Sequence, residues 1–164
     1  MTTSPYGTLP LDAANRLQDL HLTLPAQGGK PVAVYKAVVQ VGNMLYVSGQ
    51  VPVQNDGSLI KGKVGDDFTL EQGQQAARQC ALTMLATIKN NLGSLNKIKR
   101  LVKSLGMVNS TPTFVDHPKV INGFSELMRE VYGEDNGVGA RSAVGVAALP
   151  SGVAVEVEAI FELN

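Results

Sequence analysis

Gly139 to Phe161 reads G-A-R-S-A-V-G-V-A-A-L-P-S-G-V-A-V-E-V-E-A-I-F, a β-prone run that carries charge only at Arg141, Glu156 and Glu158. Two strand-like stretches, Ala143 to Ala147 and Val153 to Phe161, flank the turn signal L-P-S-G. A period of two puts Val153, Val155, Val157, Ala159 and Phe161 on one face of the second stretch. Ala154, Glu156, Glu158 and Ile160 fall on the other. An ionised carboxylate is not left dry on a sheet without a partner. That face therefore meets water or lines a site where the charge is used. Arg141, at the mouth of the preceding strand, is the obvious counter-charge, because its planar guanidinium suits a two-point grip on a carboxylate.

Working back along the chain, the pattern alternates between helix and strand without internal repeats. Residues 1 to about 8 show no periodicity and read as a loose terminus. After Pro10 and Asp12, Ala13, Leu17, Leu20 and Leu24 recur at helical spacing and predict a short helix ended by Pro25. A-Q-G-G-K-P, Ala26 to Pro31, is a connector. Tyr35 to Val41 and Met44 to Ser48 form a hairpin around Gly42-Asn43. Pro52 to Asp67 is a long loop holding at most a short strand. Thr69-Leu70-Glu71-Gln72 is a capping box opening a helix whose stripe is Ala76, Ala77, Cys80, Ala81, Met84, Leu85, Ile88 and Leu92, with Gly93 as its stop. Ile98 to Val108 is a strand. A third helix, His117 to Tyr132, buries Val120, Phe124, Leu127, Met128 and Val131, with Asn122, Ser125 and Arg129 along another side. This order predicts an α+β fold, a mixed sheet with two long helices packed on one face. The opposite face is then too apolar to stay in solvent over a large area, so self-association with polar clefts between subunits is expected.

Composition narrows the function classes. The chain has 164 residues, one domain by size, with 14 basic and 14 acidic side chains. No net field draws it to nucleic acid or a membrane. Trp is absent and aromatic residues make up 5%, which disfavours a base-stacking platform. The single Cys80 makes no internal disulfide and fits a reducing, cytoplasmic setting. Neither a signal-peptide pattern nor an 18-residue apolar run is present, so no membrane partner is expected.

Individual candidates each carry two readings. Arg141 is either a strand-end arginine lying along the surface or a ligand clamp. Glu156 and Glu158 either face solvent on an edge strand or work in a site. Their spacing of roughly 6.5–7 Å is shared by every strand. Tyr35 and Ser48 are ordinary strand residues on their own, and the turn at Ser48-Gly49-Gln50 either offers amides to an anion or merely turns. His21 and His117 lack ligand-type neighbours, so no metal is expected. Cys80 sits on an apolar helix stripe and reads as core rather than nucleophile. Gly137-Val138-Gly139 precedes a strand, not a helix, which argues against dinucleotide binding. Lys89, Lys97, Lys99, Arg100 and Lys103 form a basic stretch, either a nucleic-acid patch or a helix end followed by a solvated strand. No G-x-S-x-G and no paired Ser/His arrangement is visible.

V-G-N-M-L-Y-V-S-G-Q-V-P, followed by the Gly139–Phe161 stretch, resembles the RidA family, also called YjgF/YER057c/UK114. The likeness covers most of residues 32 to 162. R-L-Q-D-L-H-L-T-L-P and L-V-K-S-L-G-M-V-N-S are similar to the branch labelled endoribonuclease L-PSP/chorismate mutase-like. The organisation implied is an extension over residues 1–31 with a short helix, then a RidA-like domain over 32–164. The resemblance implies a chorismate-mutase-like fold, a homotrimer, and ligand clefts between subunits. It further implies cofactor-independent hydrolysis of reactive 2-imino and enamine acids to 2-keto acids and ammonia, with a small carboxylate-bearing metabolite as partner. Carried over position by position, the substrate-gripping arginine is Arg141 and the water-positioning glutamate is Glu156. The binding positions are Tyr35, Ser48, Asn122 and Ala143. Ala143 stands where many members have a cysteine, so only its backbone amide is available to a ligand. The N-terminal helix and the 52–67 loop reshape the cleft. Two other functions remain open: a trimeric small-molecule-binding protein without turnover, and, third, a ribonuclease, which the neutral charge and scarce aromatics support little.

Overall fold

The computed structural model describes residues 12–164. The loose terminus expected over residues 1 to 8, and Pro10, lie outside them. In chain order the described elements are α1 (Ala13–Asp19), β1 (Val38–Val41), β2 (Met44–Gln50), α2 (Leu70–Leu92), β3 (Ile98–Asn109), α3 (His117–Gly137), β4 (Ala140–Val146) and β5 (Val155–Leu163). The five strands form one sheet in the order β1-β2-β5-β3-β4. All pairings are antiparallel except β3 with β4, which α3 joins as a parallel crossover.

Both long helices lie on one sheet face, as expected, with α2 against β5 and β2 and α3 against β3 and β4. β5 alternates strictly: Val155, Val157, Ala159, Phe161 and Leu163 are buried beneath the helices, whereas Glu156, Glu158 and Ile160 point the other way. Burying a side chain such as Phe161 contributes about 1.5–3 kcal/mol. Cys80, Met84, Leu85 and Ile88 from α2 and Phe124, Leu127 and Met128 from α3 complete the core. The open face carries Val39, Tyr46 and Val144, all substantially exposed, as the patterning predicted.

Local signals hold where they are local. Thr69 caps α2 through its Oγ1, which accepts from Gln72 N at 3.2 Å, while Gln72 Oε1 accepts from Thr69 N at 2.8 Å. Gly93 ends the helix at φ 83°. The Gly42-Asn43 hairpin forms with Val41 opposite Met44.

Several boundaries differ from expectation. Helix α1 stops at Asp19 in a turn over Leu20 and His21 (φ 53°), where Leu22 N donates to Leu17 O at 2.9 Å; Leu20, Leu22 and Leu24 pack against the core, with His21 and Thr23 exposed between them. Strand β1 begins at Val38, leaving Tyr35 in the connector, because only Val38–Val41 finds a partner in β2. Strand β4 starts at Ala140, so Arg141 lies within the strand, not at its mouth; parallel pairing with β3 begins at Lys103. Strand β5 starts at Val155, and Ala154 is buried, not on the open face, since its amide donates to Ile60 O of the 52–67 loop. The run of α3 is interrupted just past the expected end, at Gly133 (φ 81°, ψ 173°).

The backbones of the two long helices approach closely at Gly123. A Cβ there would strike the Gln74 carbonyl oxygen and approach Arg78 N at 3.2 Å, both backbone atoms that cannot rotate aside. In a free helix Gly→Ala gains ~1 kcal/mol. Here overpacking dominates, and Gly123→Ala should lower the unfolding free energy by ~1–3 kcal/mol. Denaturant melts of the two proteins check this; an unchanged or higher midpoint would contradict it.

Candidate functional site

The residues singled out in the sequence gather at two places, on opposite sides of the sheet. On the open side, Tyr35, Ser48 and Glu156 line one cavity of about 580 Å³, together with Gly49, Gln50 and the glycines of the 26–31 connector. Its shape follows from a break in register between Val47 and Gln50, where β2 departs from β5. Gly49 sits at that bulge. A Cβ on it would strike Glu156 Oε1 and lie 2.9 Å from Glu156 Cδ, so the carboxylate occupies space that only glycine leaves.

A relay of hydrogen bonds fixes this wall. Gly29 N donates to Thr87 Oγ1 at 2.9 Å, Thr87 Oγ1 donates to Gln50 Oε1 at 2.7 Å, and Gln50 Nε2 donates to Ser48 O at 2.9 Å. Thr87 and Gln50 are both buried, so the relay is shielded from competing water. Ser48 Oγ donates to Lys36 O at 2.6 Å, which holds the connector bearing Tyr35 beside the strand.

Arg141 lies on the helix-facing side. It pairs in register with Ser104, which pairs in turn with Ala159, both buried. Glu156 pairs with Met107, on the alternate set of positions. Arg141 Nη1 donates to Asn122 Oδ1 at 2.9 Å and Ser125 Oγ at 3.0 Å, and Nη2 donates to Pro118 O at 3.2 Å. These α3 groups orient the guanidinium while leaving part of its five-proton fork free. Ala143 is the next residue along β4 on the same side. Within one chain Arg141 and Glu156 therefore lie on opposite sides of the sheet.

The electrostatics match these surroundings. Burial, with the charge of Glu158 adding to it, raises the Glu156 carboxyl above the ordinary glutamate value. Burial draws the Arg141 guanidinium somewhat down. Cys80 is buried, bonded to Val155 O at 3.4 Å, and its thiol is pushed up by burial and then by Glu156, so it is core as expected. The basic stretch is locally engaged: Lys97 on Leu92 O, Lys99 on Glu162, Arg100 on Asp135 O and Lys103 on Ser142. No group of three or more metal-ligating side chains forms among the described residues.

One pair was missed by the sequence. Ser110 Oγ and His117 Nε2 lie 3.0 Å apart, although no paired Ser/His arrangement was expected. The seven-residue separation spans the turn between β3 and α3, and no local periodicity marks it. The rule that ligands gather at the carboxyl ends of parallel strands would have pointed there once β3 and β4 were seen to be parallel.

The raised Glu156 carboxyl has a consequence for stability. Its folded value lies above its unfolded one, so its favourable contribution is present below the ordinary 4.5 and is lost as pH rises through the folded value. Glu156→Gln, which never ionises, should therefore melt above the wild type at pH 7. The difference should vanish as pH falls below 4.5. Thermal unfolding across pH 3 to 8 measures it, and a lower melting temperature for the variant at pH 7 would contradict it.

Comparison with known proteins agrees with the sheet and its two-helix layer. The profile of the family described as "YjgF/chorismate_mutase-like, putative endoribonuclease" matches residues 14–155. Protein TCP17 of Trypanosoma cruzi is 46% identical over 152 residues, spanning 93% of this chain and 94% of that one. The crystal structure of Atu1372 from Agrobacterium tumefaciens, a protein of unknown function, is 43% identical with a TM-score of 0.83, covering 93% and 94% of the two chains. The 2-iminobutanoate/2-iminopropanoate deaminase of Dermatophagoides farinae is 30% identical over 136 residues, covering 82% of this chain and 90% of its own. No described helix is long and apolar enough to cross a membrane. The chain belongs to the YjgF/chorismate mutase-like family that includes the RutC and RidA proteins.

Proposed function

We propose that the protein hydrolyses 2-imino acids to 2-keto acids and ammonia at clefts formed between copies of the chain in a homotrimer. The observation that carries this reading is the division of the site. An oriented, partly free guanidinium lies on β4, and a half-buried carboxylate with Tyr35 and Ser48 lies in a cavity on the other side of the same sheet. Two such halves are complementary only when they come from different copies. The apolar open face, with Val39, Val41, Tyr46 and Val144 exposed, supplies a reason for copies to associate. The named deaminase among the relatives supports the chemistry.

Arg141 grips the substrate carboxylate in two parallel hydrogen bonds and fixes the neighbouring imine carbon. Asn122 and Ser125 hold the guanidinium for that task. Glu156 accepts a proton from water as the water oxygen bonds to the imine carbon, and its raised proton affinity makes it a better base than an exposed glutamate. That proton passes to nitrogen, the C–N bond breaks and ammonia leaves, and the hydroxyl proton returns to Glu156 as the carbonyl forms. Tyr35 and Ser48 line the water's side of the cleft, and the Ala143 amide contacts the ligand. No cofactor is required, since a protonated imine is already electrophilic.

With a dehydratase generating 2-iminobutanoate, the wild type should accelerate keto-acid release. Arg141→Ala should reduce the rate by ~10²-fold or more, and Arg141→Lys should be poor because an ammonium lacks the planar fork. Glu156→Gln should lower kcat more than it raises KM. Co-refolding Arg141→Ala with Glu156→Gln should restore activity at about one quarter of sites by random assortment. A monomeric mass in light scattering, or an inactive mixture of folded variants, would overturn the shared cleft. Ligand binding without turnover would make the protein a binding module.

A further inference from the structure

We propose that the cleft at the carboxyl ends of β3 and β4 is a second chemically active site, in which Ser110 is a nucleophile and His117 its base toward small carboxylic esters. The cleft measures about 290 Å³ and is lined by Ser110, His117, Gly145 and the apolar Pro112, Phe114 and Val146. None of these residues lines the cavity of Glu156. The site lies where open sheets place ligands, beyond the carboxyl ends of parallel strands joined by a helical crossover.

Three features make the pair more than a chance contact. First, the 3.0 Å separation of Ser110 Oγ and His117 Nε2 is a proton-transfer distance. In the tautomer protonated at Nδ1, the serine hydroxyl donates to Nε2 and is activated for attack. The hydroxyl is directed to an imidazole, whereas the Ser48 hydroxyl is directed to a backbone carbonyl. Second, both groups are held still. Val64 N donates to Asn109 O at 2.8 Å and Thr111 N to Val64 O at 3.0 Å, which clamps the backbone on either side of Ser110. The edge of one ring meets the face of the other between Phe114 and His117, with centroids 5.4 Å apart. Third, the floor is bare. A Cβ on Gly145 would strike His117 Nε2 and lie 2.8 Å from Ser110 Oγ, so any other residue there would occupy the reacting atoms' space.

The step balances without a cofactor. Ser110 Oγ bonds to the acyl carbon as its proton passes to His117 Nε2. The C–O bond to the alcohol breaks, and the alcohol leaves with that proton. Water then adds to the acyl carbon, its proton returning through the same nitrogen to Oγ as the carboxylic acid departs. The Lys63 ammonium donates to Asn109 Oδ1 at 3.0 Å and to the carbonyl of Ala147, a residue of the cleft lining, at 3.1 Å, and its positive charge favours the transient oxyanion. The apolar lining and small volume select short acyl groups.

The test treats the full-length protein with a fluorophosphonate, which captures activated serines, and separately with p-nitrophenyl acetate. Intact mass should show one adduct, peptide mapping should place it on Ser110, and Ser110→Ala should lose it. His117→Gln should slow both labelling and ester turnover by ~10²-fold or more. The wild-type map decides the matter even if a variant misfolds, because it names the labelled serine directly. No adduct, an adduct elsewhere, or Ser110 labelling at an undiminished rate in folded His117→Gln would overturn the proposal. Because the readout is ester chemistry, its result is independent of imino-acid turnover.

Discussion

Strand β5 is hydrogen-bonded along both edges, to β2 on one side and β3 on the other, so its side chains have only two directions to take. One direction is filled by Val155, Val157, Ala159, Phe161 and Leu163 under two helices. A slip of one residue would drive Glu156 and Glu158 into that core and expose Phe161, a change no local adjustment could offset. The register of the central strand is therefore fixed strongly, and it carries the rest of the sheet with it. Through β3 it decides that Arg141 faces the helices. Through β2 it decides that the bulge at Gly49 opens beside Glu156.

Much of this is legible in the sequence because it rests on short-range periodicity. The alternation V-E-V-E-A-I-F names both faces of β5, and T-L-E-Q names the start of α2 from atoms within three residues of one another. What fails is what pairing decides. Leu17, Leu20 and Leu24 fit a helical period, but Leu20, Leu22 and Leu24 fit a period of two equally well. The helix instead ends in a turn at Leu20-His21, and all three leucines reach the core because its surface, not intrinsic propensity, decides where the helix stops. The start of β4 at Ala140 is likewise set by Lys103 opposite it, well outside any local window. Tyr35, Ser48 and Glu156 are brought together by the bulge and the Ser48–Lys36 hydrogen bond, and the Ser110–His117 pair by a turn whose floor is a glycine thirty-five residues later in the sequence at Gly145.

The opposite placement of Arg141 and Glu156 also suits their chemistry. Within one chain a contact between them would pull the carboxyl down and occupy the guanidinium. Separated, Arg141 is satisfied by neutral acceptors on α3, and Glu156 is left with burial and the like charge of Glu158.

Strand β4 makes that separation usable. Among the described residues it is the sheet's outer strand, paired with β3 alone, and it runs parallel because α3 carries the chain back to the same end. Side chains on an edge strand can lie against a helix yet remain reachable from beyond the sheet. Arg141 does so: its guanidinium is braced by Asn122, Ser125 and the Pro118 carbonyl, yet it is only partly buried. A central strand could hold the arginine as firmly but would enclose it, at the desolvation cost of a buried charge. The crossover that makes β4 an edge also brings the start of α3 over its carboxyl end, where His117 meets Ser110. One topological choice, a parallel edge strand after a helical crossover, thus positions a charged group partway along the strand and a hydrogen-bonded serine and histidine at its end.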